Sequence, residues 1–322
     1  MPQTLELALA NLSSPPVLAF VLGLLVVVMR SQLSIPKQIF DFISIYLLLA
    51  IGLKGGVALR TAPLNEIVLP LLLSISLGIA LPLLAFVVLR RITRLSRMNR
   101  GALAAHYGST SLVTFTAGLV FIEQAGLTFE GFLPSLLAVM EVPGLAVGIL
   151  LAKQGSESHS LKPMMREVFT GKSIVLLVGG IALGAITGAT GFEKVEPFFG
   201  SLFSGMLTIF LLQLGIQAGQ SIRKAKSMDI GLVAFAVMFP FIAGSIGVFT
   251  AQAIGMSQGG SIAFGLLCGS ASYIAAPAAV KLSLPEANQG LFTTAALGVT
   301  FPVNLILGIP WLAWFSQQNL WI

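Results

Sequence analysis

Long apolar runs, each closed by charges, Pro or Gly, set the pattern of this chain. They predict membrane-crossing helices near residues 17–33, 37–59, 66–89, 101–122 and 131–152, and again near 173–190, 197–221, 230–254, 260–281 and 287–315. A hydrocarbon core about 30 Å thick takes about 20 apolar residues per helix, so ten such spans use almost the whole chain and leave no room for a sizeable soluble domain. The expected fold class is an all-α polytopic membrane protein with ten transmembrane helices. The polar start, residues 1–14, lacks the basic flank of a signal peptide, so the run from Val17 to Met29 is read as the first span.

The same pattern repeats. Ile35-Pro36 before one apolar run matches Glu196-Pro197 before another, and residues 49–56 (Leu-Ala-Ile-Gly-Leu-Lys-Gly-Gly) resemble 212–219 (Leu-Gln-Leu-Gly-Ile-Gln-Ala-Gly). Gly108-Ser109-Thr110-Ser111 pairs with Gly269-Ser270-Ala271-Ser272, and Glu141-Val142-Pro143 with Thr300-Phe301-Pro302. An odd number of spans per copy turns the second copy upside down, the inverted-repeat plan of many secondary transporters. The expected units are residues 15–153, a cytoplasmic linker at 154–171 carrying Ser156, Ser158, His159, Ser160 and Pro163, and residues 172–316. Chance similarity among segments rich in Leu, Gly and Ala is the competing explanation.

Charge supplies an orientation. Only 9% of the 322 residues are charged, mean hydropathy is +0.95 and the formal net charge is +6. In a membrane chain this excess is a topology signal and not a sign of a nucleic-acid partner. With the Arg90, Arg91, Arg94, Arg97, Arg100 cluster in the cytoplasm, Arg30, Lys37, Lys153, Lys162, Arg166, Lys172, Arg223, Lys224, Lys226 and Lys281 fall on the same side, and only Lys54, Arg60 and Lys194 fall opposite. Both termini are then extracytoplasmic and the protein is expected in the cytoplasmic membrane. The lone Cys268 excludes an intramolecular disulfide.

Polar, helix-breaking clusters inside two spans carry the candidate chemistry. His106-Tyr107-Gly108-Ser109-Thr110-Ser111 and Gly269-Ser270-Ala271-Ser272-Tyr273, with Pro277 beyond, predict discontinuous fourth and ninth helices meeting near the midplane. Half-helices starting near Leu112 and Tyr273 would aim free N–H groups and partial positive charge at a small anion, with Ser and Thr hydroxyls as further donors. The alternative is that Gly and Ser simply allow close helix packing. Glu141, mid-span beside Pro143, is either a sodium ligand or a packing residue, and Asn304 beside Pro302 is a second oxygen donor of that kind. Thr110 and Ser272 complete the candidate sodium set. His106 is either a proton relay or a hydrogen-bonded part of the kink. Gln213, Gln217 and Lys54 read as interfacial, and Trp311, Trp314 and Trp321 as an aromatic belt. No phosphate-binding loop, HExxH or GxSxG context is present, so neither ATP-driven pumping nor proteolysis has a visible site, and no cofactor is expected beyond a coupling ion.

At these residues the chain resembles the sodium-dependent bicarbonate transporters of cyanobacteria and other bacteria, the SbtA family. The resemblance rests on Ile51-Gly52-Leu53-Lys54-Gly55-Gly56 with Arg60, on Gly108-Ser109-Thr110-Ser111, on Glu141-Val142-Pro143, and most on residues 270–279 (Ser-Ala-Ser-Tyr-Ile-Ala-Ala-Pro-Ala-Ala). It implies bicarbonate as substrate, sodium as coupling ion, a core domain moving against a gate domain, a homotrimer, and a PII-like nucleotide-sensing partner on the cytoplasmic side. Glu141 stands where that family leads one to expect an aspartate, and the linker is short. Two other readings remain open on residues alone: a sodium-coupled symporter of another small organic monoanion, and a membrane receptor or scaffold recruiting a cytoplasmic regulator.

Overall fold

The computed structural model describes Leu9 and residues 11–154, 162–225 and 228–318, and every regular element among them is helical. The helices are α1 (Pro15–Val28), α2 (Lys37–Thr61), α3 (Leu64–Ile92), α4 (Arg97–Gly108), α5 (Leu112–Gln124), α6 (Leu133–Lys153), α7 (Lys162–Thr170) and α8 (Lys172–Glu193). They continue with α9 (Phe203–Ala225, entered through a π turn at Pro197–Ser201), α10 (Ile230–Ala253), α11 (Gln258–Cys268), α12 (Ala275–Ser283) and α13 (Gln289–Ser316). Seven of the described helices are long and apolar enough to cross a membrane, and α1 and α11 are shorter apolar helices. The chain is a multi-pass membrane protein. Its outward faces fit lipid as solvent: Leu72, Ile75, Ile79 and Leu83 of α3 and Val175, Val178 and Leu183 of α8 are exposed.

Several expected boundaries move. The first span, expected to reach residue 33, ends at Val28, because Arg30 takes a left-handed backbone (φ 55°) and residues 31–36 run without helix to Pro36. Part of the expected linker is itself a helix, Lys162–Thr170, while Ser156, Ser158, His159 and Ser160 lie outside the described residues, as does Trp321. The run expected at 173–190 extends to Glu193 through a kink at Gly188, whose φ of 64° suits a residue without a Cβ.

Two helix pairs pack backbone to backbone. A Cβ placed on Gly52 of α2 would stand 2.7 Å from the Leu177 carbonyl oxygen and 2.9 Å from Gly180 Cα of α8. In the other pair, a Cβ on Gly23 of α1 would stand 2.9 Å from Gly215 Cα of α9. Small residues let membrane helices approach this closely, so dispersion and weak backbone contacts replace the hydrophobic drive that lipid does not supply. Elsewhere prolines do the fitting: Gly108 meets Pro82 of α3, and Gly269 meets the Pro240 carbonyl of α10.

Contacts at the helix ends sort the connections onto two faces. On one, Arg97 Nε donates to the Leu151 carbonyl (2.9 Å), Asn288 N donates to Asn99 Oδ1 (3.0 Å), and Lys172 meets Asp41 (3.5 Å). On the other, Ser257 N donates to Glu130 Oε1 (2.6 Å), Gln252 Nε2 to the Ser316 carbonyl (2.7 Å) and Arg60 to the Ile186 carbonyl (3.0 Å). The glycine pairs predict that Gly215→Ala lowers the apparent melting temperature of the purified protein in detergent by several degrees, an overpacking cost of about 1–3 kcal/mol. Gly179→Ala, whose Cβ meets nothing within 4 Å, leaves it unchanged or raises it.

Candidate functional site

Both polar clusters interrupt helices. The first gap, Ser109–Ser111, separates α4 from α5, and the second, residues 269–274, separates α11 from α12. At the first, Ser111 caps α5, its Oγ accepting from Thr114 N (3.2 Å) and Thr114 Oγ1 (3.0 Å). At the second, Ser272 Oγ accepts from Ala276 N (3.1 Å), and α12 begins at Ala275, two residues later than the expected start near Tyr273. Ser272 N is itself engaged outside its own segment.

That engagement ties the gaps together. Ser272 N donates to the His106 carbonyl (2.8 Å), and His106 Nδ1–H donates back to the Ser272 carbonyl (2.6 Å), which fixes the tautomer because a carbonyl only accepts. Ser111 N donates to Ser270 Oγ (2.8 Å) across the same junction. Asn304, in a π segment of α13, donates through Nδ2 to the Gly269 carbonyl at the end of α11 (2.8 Å). Tyr107 reaches Thr300 (2.6 Å), whose hydroxyl donates its own hydrogen bond to the Ala236 carbonyl (2.7 Å), so the phenol is the donor. Freed backbone groups at membrane depth are thereby paired within protein.

The gaps open onto one tight cavity of about 20 Å³, lined by Thr110, Ser111, Ser272, Tyr273, Glu141 and Ser173 among its polar groups, and by Leu48, Leu137 and Leu177. Thr110 Oγ1 is buried without a hydrogen-bond partner, and the Tyr273 hydroxyl approaches Ser111 without completing a bond. Glu141 is 3% exposed and has no ion-pair partner among the described residues. It reaches the junction because α6 presses on α4 there: a Cβ on Gly144 would collide with the Gly108 carbonyl oxygen. A wider space of about 310 Å³ adjoins, sharing Glu141, Ser173, Ile274 and Ala275 and continuing past Ser44 and Glu167 to Asp41 and Lys172.

Of the residues expected to face an anion, Thr110, Ser111, Ser272 and Tyr273 therefore line the cavity together with Glu141. Gly108, Ser109, Gly269, Ser270 and Ala271 stand behind it, holding the gaps, and Asn304 is engaged with Gly269. Reading motifs missed Ser173; its signal was a hydroxyl at the second position of a helix opened by Gly171 and Lys172. His106 is hydrogen-bonded across the kink. Lys54 lies over the Phe203 ring, 4.9 Å from its centroid, and Gln213 accepts from Ile35 N (3.1 Å), so neither enters the cavity.

Broken helices around a buried polar cavity in a multi-pass membrane protein are the build of a secondary transporter. A family model of the Na+-dependent bicarbonate transporter superfamily matches residues 15–317, and the chain belongs to that superfamily. A search of curated proteins finds no match.

Because one imidazole joins the two gaps, His106→Ala leaves the Ser272 carbonyl unpaired in a dry junction. It should cost about 1–3 kcal/mol, read as a lower apparent melting temperature in detergent; an unchanged value would show that the junction does not depend on this bond.

Proposed function

We propose that the protein imports bicarbonate by symport with sodium across the cytoplasmic membrane. The observation that carries this reading is the single cavity shared by Thr110 and Ser111 before α5, Ser272 and Tyr273 before α12, and the unpaired carboxylate of Glu141. The starts of α5 and α12, at Leu112 and Ala275, both border this cavity, and two positive dipole ends suit a monoanion. Glu141, with the hydroxyls of Thr110 and Ser272, supplies the oxygens a hard cation takes. Anion and cation sit side by side, each lowering the cost of the other in a low-dielectric space. Thr110, buried without a partner, has a hydroxyl to offer either ion.

Energetics favour coupling. Moving one negative charge into a negative-inside cell costs about 2.3 kcal/mol per 100 mV. One accompanying sodium ion cancels that electrical work, and a tenfold sodium gradient adds about 1.4 kcal/mol of drive. The stoichiometry of one to one is part of the proposal.

The architecture we infer is ten spans in two inverted units, residues 15–153 and 172–316, joined by 154–171. Paired features support it. The α2–α8 contact through Gly52 and Gly180 has a counterpart in the α9–α1 contact through Gly215 and Gly23. Ser96 and Ser257 cap α4 and α11 in the same way, and Gly108 on Pro82 is echoed by Gly269 on Pro240. The Lys172 and Arg97 face is cytoplasmic by the distribution of basic residues. The wider space opens there, so the conformation is inward-facing, and release precedes a sliding or rocking of the gap-bearing bundle against α1, α2, α8 and α9. On the same reading the chain is a homotrimer with both termini outside, and the family resemblance assigns a PII-like partner to its cytoplasmic face.

In proteoliposomes, radiolabelled bicarbonate uptake should require an inward sodium gradient and resist competition by acetate. Glu141→Gln, which exchanges the charged oxygen of the set for a neutral amide oxygen, should raise the sodium half-saturation about tenfold or more, about 1.4 kcal/mol per tenfold. Ser272→Leu should abolish uptake without preventing membrane insertion. Uptake independent of sodium, or carried equally by acetate, would refute the reading.

A further inference from the structure

Besides the two gaps and α6, the cavity is lined by two helices that carry no polar motif. Leu48 belongs to α2, and Ser173 and Leu177 belong to α8. Ser173 is the one polar residue these two helices contribute to the cavity, and it also lines the wider space beyond. It occupies the second position of a 22-residue helix whose start, after Gly171, carries no side-chain cap. The first N–H groups of α8 are therefore left without the hydroxyl or carboxylate partner that Ser96, Ser111 and Ser257 give to α4, α5 and α11.

A helix start alone marks nothing. Here a second observation points to a ligand: Thr110, 4% exposed, lines the same cavity and its Oγ1 is buried without a partner. A group that accepts hydrogen bonds, placed between Thr110 and Ser173, would satisfy both residues. The charged groups nearby decide which acceptor. Glu141 lines the cavity, and Asp41 and Glu167 line the wider space, where Lys172 is the one cation among the described lining residues, so an anion is repelled until a cation neutralises Glu141. Lys172 is itself held by Asp41, with its Nζ 3.2 Å from the Asp41 carbonyl and 3.5 Å from Oδ1, so it does not reach the anion as a free charge.

We propose that Ser173 and the uncapped start of α8 form a third donor pole of the anion site, contacting the carried monoanion in addition to the two gaps. The proposal rests on the transport reading above. It makes α8 a participant in recognition and not only a scaffold. Because α8 belongs to the bundle against which the gap-bearing helices move, the contact exists in the inward-facing state and breaks as that bundle shifts. Ser173 then governs apparent affinity for the anion, while Glu141 governs sodium. The ligand class is a small oxyanion with acceptors on more than one edge, as bicarbonate has.

The test is sodium-driven bicarbonate uptake by the full-length protein in proteoliposomes, comparing wild type, Ser173→Ala, Ser173→Thr and Ser76→Ala. Ser76 bonds only to the Leu72 carbonyl on α3 and serves as the control. Loss of a hydrogen bond to a charged group should raise the bicarbonate KM of Ser173→Ala about tenfold or more, with maximal rate and sodium half-saturation unchanged. Ser173→Thr, which keeps the hydroxyl, should restore KM. A KM in Ser173→Ala within about twofold of wild type overturns the proposal. So does an equal fall of maximal rate in the Ala and Thr variants with KM unmoved, which is the signature of packing. Absence of sodium-driven uptake in wild type itself would overturn the transport reading, and this inference with it, before any variant is compared.

Discussion

The polar centre of this fold answers to one constraint: a backbone N–H or C=O at membrane depth must find a partner inside the protein. Opening α4 from α5 and α11 from α12 releases such groups at the place where water is scarcest. The chain resolves this by crossing the debts. His106 and Ser272 exchange two hydrogen bonds, Ser111 N goes to Ser270 Oγ, and Asn304 takes the Gly269 carbonyl. Neither gap is stable alone in this form, because each is satisfied by the other. The pairing also leaves a remainder, a small set of donors and oxygens facing a cavity instead of the protein, and that remainder is what can hold ions.

The same economy explains why the surrounding helices look as they do. A junction held by hydrogen bonds 2.6–2.8 Å long tolerates little displacement, so the elements that press on it are shaped by Gly and Pro. Gly144 lets α6 touch the end of α4 and carries Glu141 to the cavity wall one turn earlier. Farther out, α2 with α8 and α9 with α1 join through glycines at near backbone contact, making two stiff pairs. A rigid gap-bearing unit beside two rigid pairs is a structure that moves by sliding at their boundary, and the cavity lies on that boundary.

Much of this was legible from residues. The apolar runs located most of the helices to within a few positions, and Gly108-Ser109-Thr110-Ser111 and Gly269-Ser270-Ala271-Ser272 pointed to both breaks, because polar clusters at matching places in two spans are more than close packing needs. Which hydroxyls face the cavity was not legible. Ser109, Thr110 and Ser111 look alike in sequence, yet Ser111 is spent on a cap, Ser109 lies behind the wall, and Thr110 is left free on it. Direction at a break depends on the facing segment, about 160 residues away in sequence, which local pattern does not encode. Ser173 was invisible for a related reason: a serine at a helix start is ordinary, and only the fold brings it to the same cavity as Thr110. The helix at 162–170 was hidden by its polar, linker-like composition, and the shortened first span by the turn at Arg30.

The central claim is that both interrupted helices present their free ends to the same bound ions. Hydrogen–deuterium exchange of the protein in lipid nanodiscs, with and without sodium and bicarbonate, measures it at the backbone groups concerned. The account predicts slowed exchange at residues 110–114 and 272–276 together, largest when both ions are present. Slowing in only one segment, or in neither while uptake proceeds, would contradict it.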